Sequence, residues 1–360
     1  MKKKKKKKKA RKFFYLLTGF FFLFLSMGLY FHLKGSYYRR SFLKAEVNVE
    51  RGLEKLNLPI QEKRIEKKGF FPPRQQARIV SEIPFDYPLD KLISEIYKVF
   101  SSEEIEVQEI KEQNLKDYYQ ILVILGFKKR ITHHLNFILH KIKIALLIDD
   151  FGYSRSRTVE SALHLNIPLT ISIIPGTPYA KDIAEEAHRN GKEIVVHLPM
   201  EPKGKFNNNY KWIITGKMKE REIKRITEKA IEEVPYSRGL NNHMGSLATE
   251  REEIMKPLLQ VIKQKNFYFV DSKTSSHSIA FSLAKKTRVR STQRDVFLDN
   301  QKESRYIEEQ FKKLILQAKK KGEALGIAHI NYITIQNLKK LISQLEKRKI
   351  QLVYVSEIVD

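Results

Sequence analysis

The run IKIALLIDDFGYS, residues 142–154, couples an apolar strand to two adjacent carboxylates and a glycine turn. This is the form of a buried parallel strand whose carboxyl end faces a site. Downstream the texture repeats. β-rich runs at LTISIIP (169–175), EIVVHLP (193–199), FYFVD (267–271), VRST (289–292), GIAHI (326–330) and QLVYV (351–355) alternate with helical patterns. Those helical patterns fall over 158–164, 180–189, 220–233, 250–265, near 279, 304–321 and 333–347. Alternation from Ile142 to Asp360 predicts an α/β domain on a parallel sheet, either doubly wound or closed as a barrel. Neither G-x-G-x-x-G nor G-x-x-x-x-G-K follows the first strand, which argues against nucleotide binding.

Reactive side chains recur where these strands end: Asp149 and Asp150, His197, His243, Asp271 and His329. Parallel strands converge on one mouth, so these distant positions can share a pocket. Two adjacent carboxylates at a buried strand end repel and resist desolvation, and a cation resolves that cost. The alternative for Asp150 is a helix N-cap, and for His197 and His329 a structural histidine. His243 lies in NNHMGS, a turn-forming context that presents a side chain. Asp with two His is a ligand set for Zn²⁺ or a similar divalent ion with one position left for water. A neighbouring carboxylate could take that water's proton while a second group protonates a leaving amine.

Upstream the chain has other business. FFYLLTGFFFLFLSMGLYF, residues 13–31, carries no charge and at about 1.5 Å per residue matches a ~30 Å hydrocarbon core. Lys2 to Lys9, Arg11 and Lys12 precede it and supply ten charges of the formal +27. The positive-inside rule then sets a cytoplasmic tail (1–12), a transmembrane signal-anchor (13–31) and an extracytoplasmic remainder, in a periplasm or at a cell surface. Ser26, Met27 and Gly28 form a poor cleavage site, which favours an uncleaved anchor. Residues 32–76 read as a polar stalk with a short helix near 45–56 and a breaker at Gly69, Phe70, Phe71, Pro72 and Pro73. ARIVSEI (77–83), a helical pattern over 89–100, IEVQEI (105–110) and YYQILVILGF (118–127) predict a small α+β module over 77–141. His133 and His134 are adjacent on a strand and point to opposite faces, so they do not form a metal pair. The absence of cysteine excludes disulfides, thiolate ligands and a Cys nucleophile. Charge alone does not indicate nucleic acid, and no nucleic-acid motif accompanies it.

IDDFGYS (148–154), HLPMEP (197–202), GLNNHMGS (239–246), FVDSKTS (269–275), RDVFLDN (294–300) and GIAHI together resemble the divergent polysaccharide deacetylases, relatives of the NodB-type deacetylases. The resemblance covers 142–360. It implies a NodB-like distorted (β/α) barrel and metal-dependent removal of acetyl groups from N-acetylated glycans such as peptidoglycan. Carried over by motif, Asp149 is the general base, Asp150 the first metal ligand and His197 the second. Where the relatives have H-x-x-x-H, this chain reads His197-Leu-Pro-Met-Glu201, so the expected third ligand is His243, with Glu201 as fallback. His329 resembles the catalytic acid, with Asp271 or Asp295 expected to orient it. The alternative is a catalytically inactive glycan-binding envelope protein on the same barrel.

Overall fold

The computed structural model describes residues 2–69, 72–84, 87, 89–101, 105–206, 209–347 and 350–360; Phe70 and Phe71 of the expected breaker lie outside these. The chain forms two compact units, residues 1–140 and 141–360.

Unit 1 begins with one helix, α1 (Lys2–Lys55). Its apolar stretch is long and apolar enough to cross a membrane, and no residue of the best 18-residue window, of mean hydropathy 1.8, is buried. The helix does not stop there. Tyr38, Phe42, Ala45, Val49 and Leu53 recur at helical spacing and are buried in the core of the unit. That core lies against the sheet formed by β1 (Glu62–Lys68), β2 (Arg74–Glu82), β3 (Ile105–Asn114), β4 (Tyr118–Phe127) and β5 (Arg130–His140). Strand order is β1-β2-β5-β4-β3, with only the β2–β5 pair parallel. A second helix, α2 (Leu89–Phe100), shares this core through Leu92, Ile96 and Phe100. A Cβ on Gly52 would fall 2.3 Å from Phe100, so glycine lets α1 meet α2.

The expected stalk over 32–76 is therefore corrected: α1 runs through it, and β1 and the start of β2 belong to the sheet. The signal was hidden because β1, EKRIEKK, is an edge strand exposed along nearly its whole length and shows no alternation. His133 faces inward and meets Glu46 of α1, whereas His134 is half-exposed.

Unit 2 alternates strand and helix: β6 (Ile142–Phe151), α3 (Arg157–Leu163), β7 (Thr170–Ile173), α4 (Ala180–Arg189), β8 (Glu193–Met200), α5 (Glu220–Glu232), β9 (Gly239–Met244), α6 (Glu252–Gln264) and β10 (Tyr268–Asp271). It continues through α7 (Ala280–Lys286), β11 (Ser291–Gln293), β12 (Val296–Phe297), α8 (Ser304–Lys321), β13 (Glu323–His329), α9 (Tyr332–Lys347) and β14 (Ile350–Val353). The order is β11-β10-β9-β8-β7-β6-β13-β12, all parallel, and β14 pairs the first half of β6. The sheet is a curled parallel half-barrel whose two edge strands are separated in the chain by Arg294 and Asp295 alone.

Strand parity divides the side chains. Ile144, Leu146, Ile148, Ile171, Val196, Leu240 and Phe269 pack outward with the helices in the larger core. Ala145, Leu147, Val195, Tyr268, Val270, Leu325 and Ile327 form a separate inner core with Val355 and Ile358. Continuing the inner parity along each strand reaches Asp149, His197, Asn241, His243 and His329.

Candidate metal centre at the strand ends

Adjacent residues on a regular strand face opposite ways, so Asp149 and Asp150 cannot both point inward without a break in the ladder. The break is a bulge. Leu147 and Ile148 pair with Thr170 and Ile171, but Phe151 pairs with Ile173, leaving one extra residue on β6. Asp150 takes φ +70, a left-handed conformation that Asp tolerates better than most residues. Gly152 follows at φ +122, where a Cβ would fall 2.0 Å from Thr177 Oγ1. Both carboxylates consequently reach His197: Asp149 Oδ1 is 3.5 Å from Nδ1 and Asp150 Oδ1 is 3.3 Å from Nε2.

His243 arrives from β9, with Nδ1 3.1 Å from Asp150 Oδ1 and 3.1 Å from His197 Nε2. Asp150, His197 and His243 thus bring one ligand atom each to a common point. Neighbours fix which atoms those are. Asn241 Nδ2 donates to Asp149 Oδ1 at 2.9 Å and to Ser272 Oγ at 3.1 Å, which leaves Asn241 Oδ1 to accept from Ser172 Oγ at 2.6 Å and from His197 Nδ1 at 3.0 Å. His197 Nε2 then turns its lone pair to the centre. Tyr210 OH lies 2.9 Å from His243 Nε2, leaving Nδ1 to face inward in the same way. Three acceptor atoms so opposed require a cation or shared protons, and Asp150 Oδ1 is buried without a hydrogen bond. Their separations of 3.1 to 3.3 Å suit a tetrahedral ion at about 2.0–2.1 Å from each, which would hold its ligands about 3.3 Å apart. The residues present fit a divalent metal.

The carboxyls are electrostatically distinct. Burial pushes Asp149 up, helped by the Asp150 charge and opposed by His197 and Asn241, and the net shift is upward. Burial pushes Asp150 up as well, but the facing His197 and His243 outweigh it and hold that carboxyl well below the usual range.

His329 ends β13 opposite Asp149 in register, with Nε2 3.9 Å from Asp150 Oδ2. Its Nδ1 lies 3.2 Å from Asp299 Oδ1, and that hydrogen bond raises the imidazole pKa against the effect of burial. Asp299 is itself fixed by the His329 backbone N–H at 3.0 Å, Asn331 Nδ2 at 2.9 Å and Thr334 Oγ1 at 2.7 Å.

Four expectations need correction. Asp271 does not orient His329: it has the outward parity of Phe269 and accepts from Lys273 N at 2.8 Å, Ser278 Oγ at 2.7 Å and Phe281 N at 3.3 Å. Asp295 does not either. It precedes β12, at the far end from the mouth, and holds Lys321 and the Leu325 N–H. Asp299 follows β12 in the same RDVFLDN run, and counting two residues from the Phe297–Ile327 pair sets it beside His329. Glu201, the fallback ligand, lies outside the triad, its Oε2 accepting from Gly216 N at 2.6 Å. The turn expected at NNHMGS is also displaced: Asn241 and Asn242 are buried on β9, and the turn begins at Met244 (φ +54) and Gly245 (φ +87). Residues the sequence reading missed are Asn241, Tyr210, Asp299 and Arg294. Arg294 donates to Ser272 O and Lys273 O at 2.7 Å each, and its positive charge is felt by Asp149.

A second carboxylate–histidine group, Glu160, His164 and Glu186, lies on the surface. Arg155 bridges its two glutamates, so a cation is already built in.

The family model for divergent polysaccharide deacetylases matches residues 146–359. The uncharacterized protein YibQ of Escherichia coli (strain K12) is 34% identical over 203 residues, 56% of this chain and 63% of that protein. An uncharacterized protein of Haemophilus influenzae is 35% identical over 189 residues, 52% of this chain and 66% of that one. The chain thus spans slightly less than two thirds of these relatives' length. The crystal structure of an uncharacterized protein from Agrobacterium tumefaciens C58 superposes with a TM-score of 0.58 at 21% identity, over 61% of this chain and 89% of that one, and so shares the fold. With the six motifs gathered on one barrel and the family model spanning nearly all of unit 2, the chain belongs to the divergent polysaccharide deacetylase family.

Proposed function

We propose that the protein is a membrane-anchored, extracytoplasmic, metal-dependent deacetylase that removes N-acetyl groups from an envelope glycan, peptidoglycan or another N-acetylated polysaccharide. The observation that carries this reading is the triad of Asp150, His197 and His243 with Asp149 buried beside it. In this reading the triad holds a divalent ion, Zn²⁺ by its donor set, which supplies Lewis acidity toward the acetyl carbonyl and acidifies water.

The remaining work falls to the chain. Asp149 accepts the proton of the attacking water, and Asn241, bonded to its Oδ1, keeps that carboxylate in place. His329, held by Asp299, stays protonated to higher pH than a free imidazole and donates to the leaving amine. Water adds to the carbonyl carbon, the C–N bond breaks, and acetate and a free amino sugar leave. Arg294 offsets the buried negative charge of Asp149. Support for the anchor comes from the exposed apolar stretch of α1, and for a cytoplasmic N-terminus from the ten basic residues before it.

The test uses the full chain in detergent. Metal content is measured for the parent, Asp150→Ala and His243→Ala; about one divalent ion per chain, lost in both variants, is expected. Unchanged content in both variants would remove the site. Acetate release from N-acetylated glycans, lowered by about 10² to 10⁴ in Asp149→Asn, then marks catalysis. Metal bound without release from any glycan would assign the barrel to glycan binding instead.

A further inference from the structure

The start of β2 and the β4–β5 hairpin of unit 1 converge on one short stretch of α1, just past its apolar run. A Cβ on Gly35 would lie 3.4 Å from Pro72 Cβ, which places Pro72, two residues before β2, against that turn of the helix. Arg74 at the start of β2 and Arg130 at the start of β5 lie 5.1 and 4.9 Å from the Tyr38 ring centre. Arg130 is also 5.1 Å from the Tyr37 ring. Tyr38 is roughly 10 Å along the helix from Phe31, the last residue of the uncharged run, at about 1.5 Å per residue. These side chains therefore stand within about one Debye length of any bilayer that run crosses.

What gathers there is basic. Arg39 and Arg40 are exposed on the helix, and Lys128 and Lys129 are exposed at the tip of the β4–β5 hairpin. Those two lysines form a two-residue loop, since Phe127 pairs with Arg130, and both have positive φ, 48° and 63°. Such a loop favours Asn-Gly and penalises lysine. Turn geometry therefore gives no reason for lysine at either position, whereas positive charge at the tip does. Glu106 accepts from the Lys129 backbone N–H at 2.7 Å, and among the described residues the tip stays net positive. The Arg130 guanidinium gives its face to the tyrosines and keeps its N–H edge. Its Nη1 is shielded from water without a hydrogen-bond partner among the described residues.

We propose that this collar binds anionic lipid headgroups at the surface of the membrane that α1 crosses, a proposal that rests on the anchor reading above. The guanidinium forks suit phosphate oxygens, and the tip lysines add unoriented attraction. The test places the full chain in nanodiscs of neutral phosphatidylcholine or of phosphatidylcholine with phosphatidylglycerol, and follows amide hydrogen exchange at 65–76 and 126–132. Protection of both segments in anionic discs only, fading in high salt, is expected. Lys128→Asn with Lys129→Gly suits the turn while removing two charges; at about fivefold per basic residue, the lipid-dependent protection falls roughly twenty- to thirtyfold. Equal exchange in both kinds of disc overturns the collar while leaving the anchor. Protection that appears in neutral discs only on adding an anionic glycan reassigns the collar and also overturns it. A chain that does not remain in either disc overturns the anchor reading, and the collar with it.

Discussion

Both units bury a histidine against a carboxylate, and they differ in whether the charges are closed. In unit 1, His133 is fully buried, stacks flat on Phe42 at 5.4 Å, and places Nε2 2.9 Å from Glu46 Oε2. Lys63 closes the other side of Glu46. In unit 2, Asp150, His197 and His243 turn acceptor atoms on one another and no lysine or arginine completes them among the described residues. The same residue types therefore mean different things. A cluster with its counter-charge built in ties elements together; one that lacks it is shaped for something brought from outside.

The largest expected effect breaks the open cluster without harming the fold. Asp150→Gly removes a ligand but relieves a left-handed non-glycine residue, so metal content and acetate release vanish while unit 2 gains up to about 1 kcal/mol. A matching loss of stability in denaturant titration would show that the cluster is structural. Next, Asp149→Asn keeps the metal and lowers acetate release by about 10² to 10⁴, the span of general-base catalysis. Glu46→Ala is the opposite case: it leaves a buried histidine unpaired and costs unit 1 roughly 3 kcal/mol, read as faster amide exchange in β5, with metal content unchanged. Tyr210→Phe, which removes the partner of His243 Nε2, weakens metal affinity about tenfold with no change in fold. The smallest effect concerns pH. Burial pushes the Glu46 carboxyl up, but His133 and Lys63 bring it below its ordinary 4.5. Its contribution is present above that value and is lost as pH falls beneath it, so Glu46→Gln should flatten the acid limb of unit 1 stability.

The βα alternation and the apolar run were legible because each repeats a period over many residues. Asp150, His197 and His243 were legible because they end strands. What escaped depended on register. Asp299 and Asp295 lie in one heptapeptide and differ only in which end of β12 they flank. Asp271 ends a strand like the others but has the wrong parity. Asn241 looked like turn material, and only the pairing of His197 with Asn241 across β8 and β9 shows that it lies beside the site. The continuity of α1 escaped because its apolar stripe beyond Phe31 is one residue in three or four, diluted by Lys, Arg and Glu.

That continuity has a mechanical meaning. A flexible linker of the length first expected, residues 32–76, would let its cargo wander about 35–40 Å in any direction. A helix unbroken from Phe31 to Lys55 instead seats unit 1 on the same rod as the apolar run, its buried residues beginning at Tyr38, about 10 Å past Phe31 at 1.5 Å per residue. With α1 across a bilayer it acts as a ruler: unit 1 drifts in the plane but keeps its height.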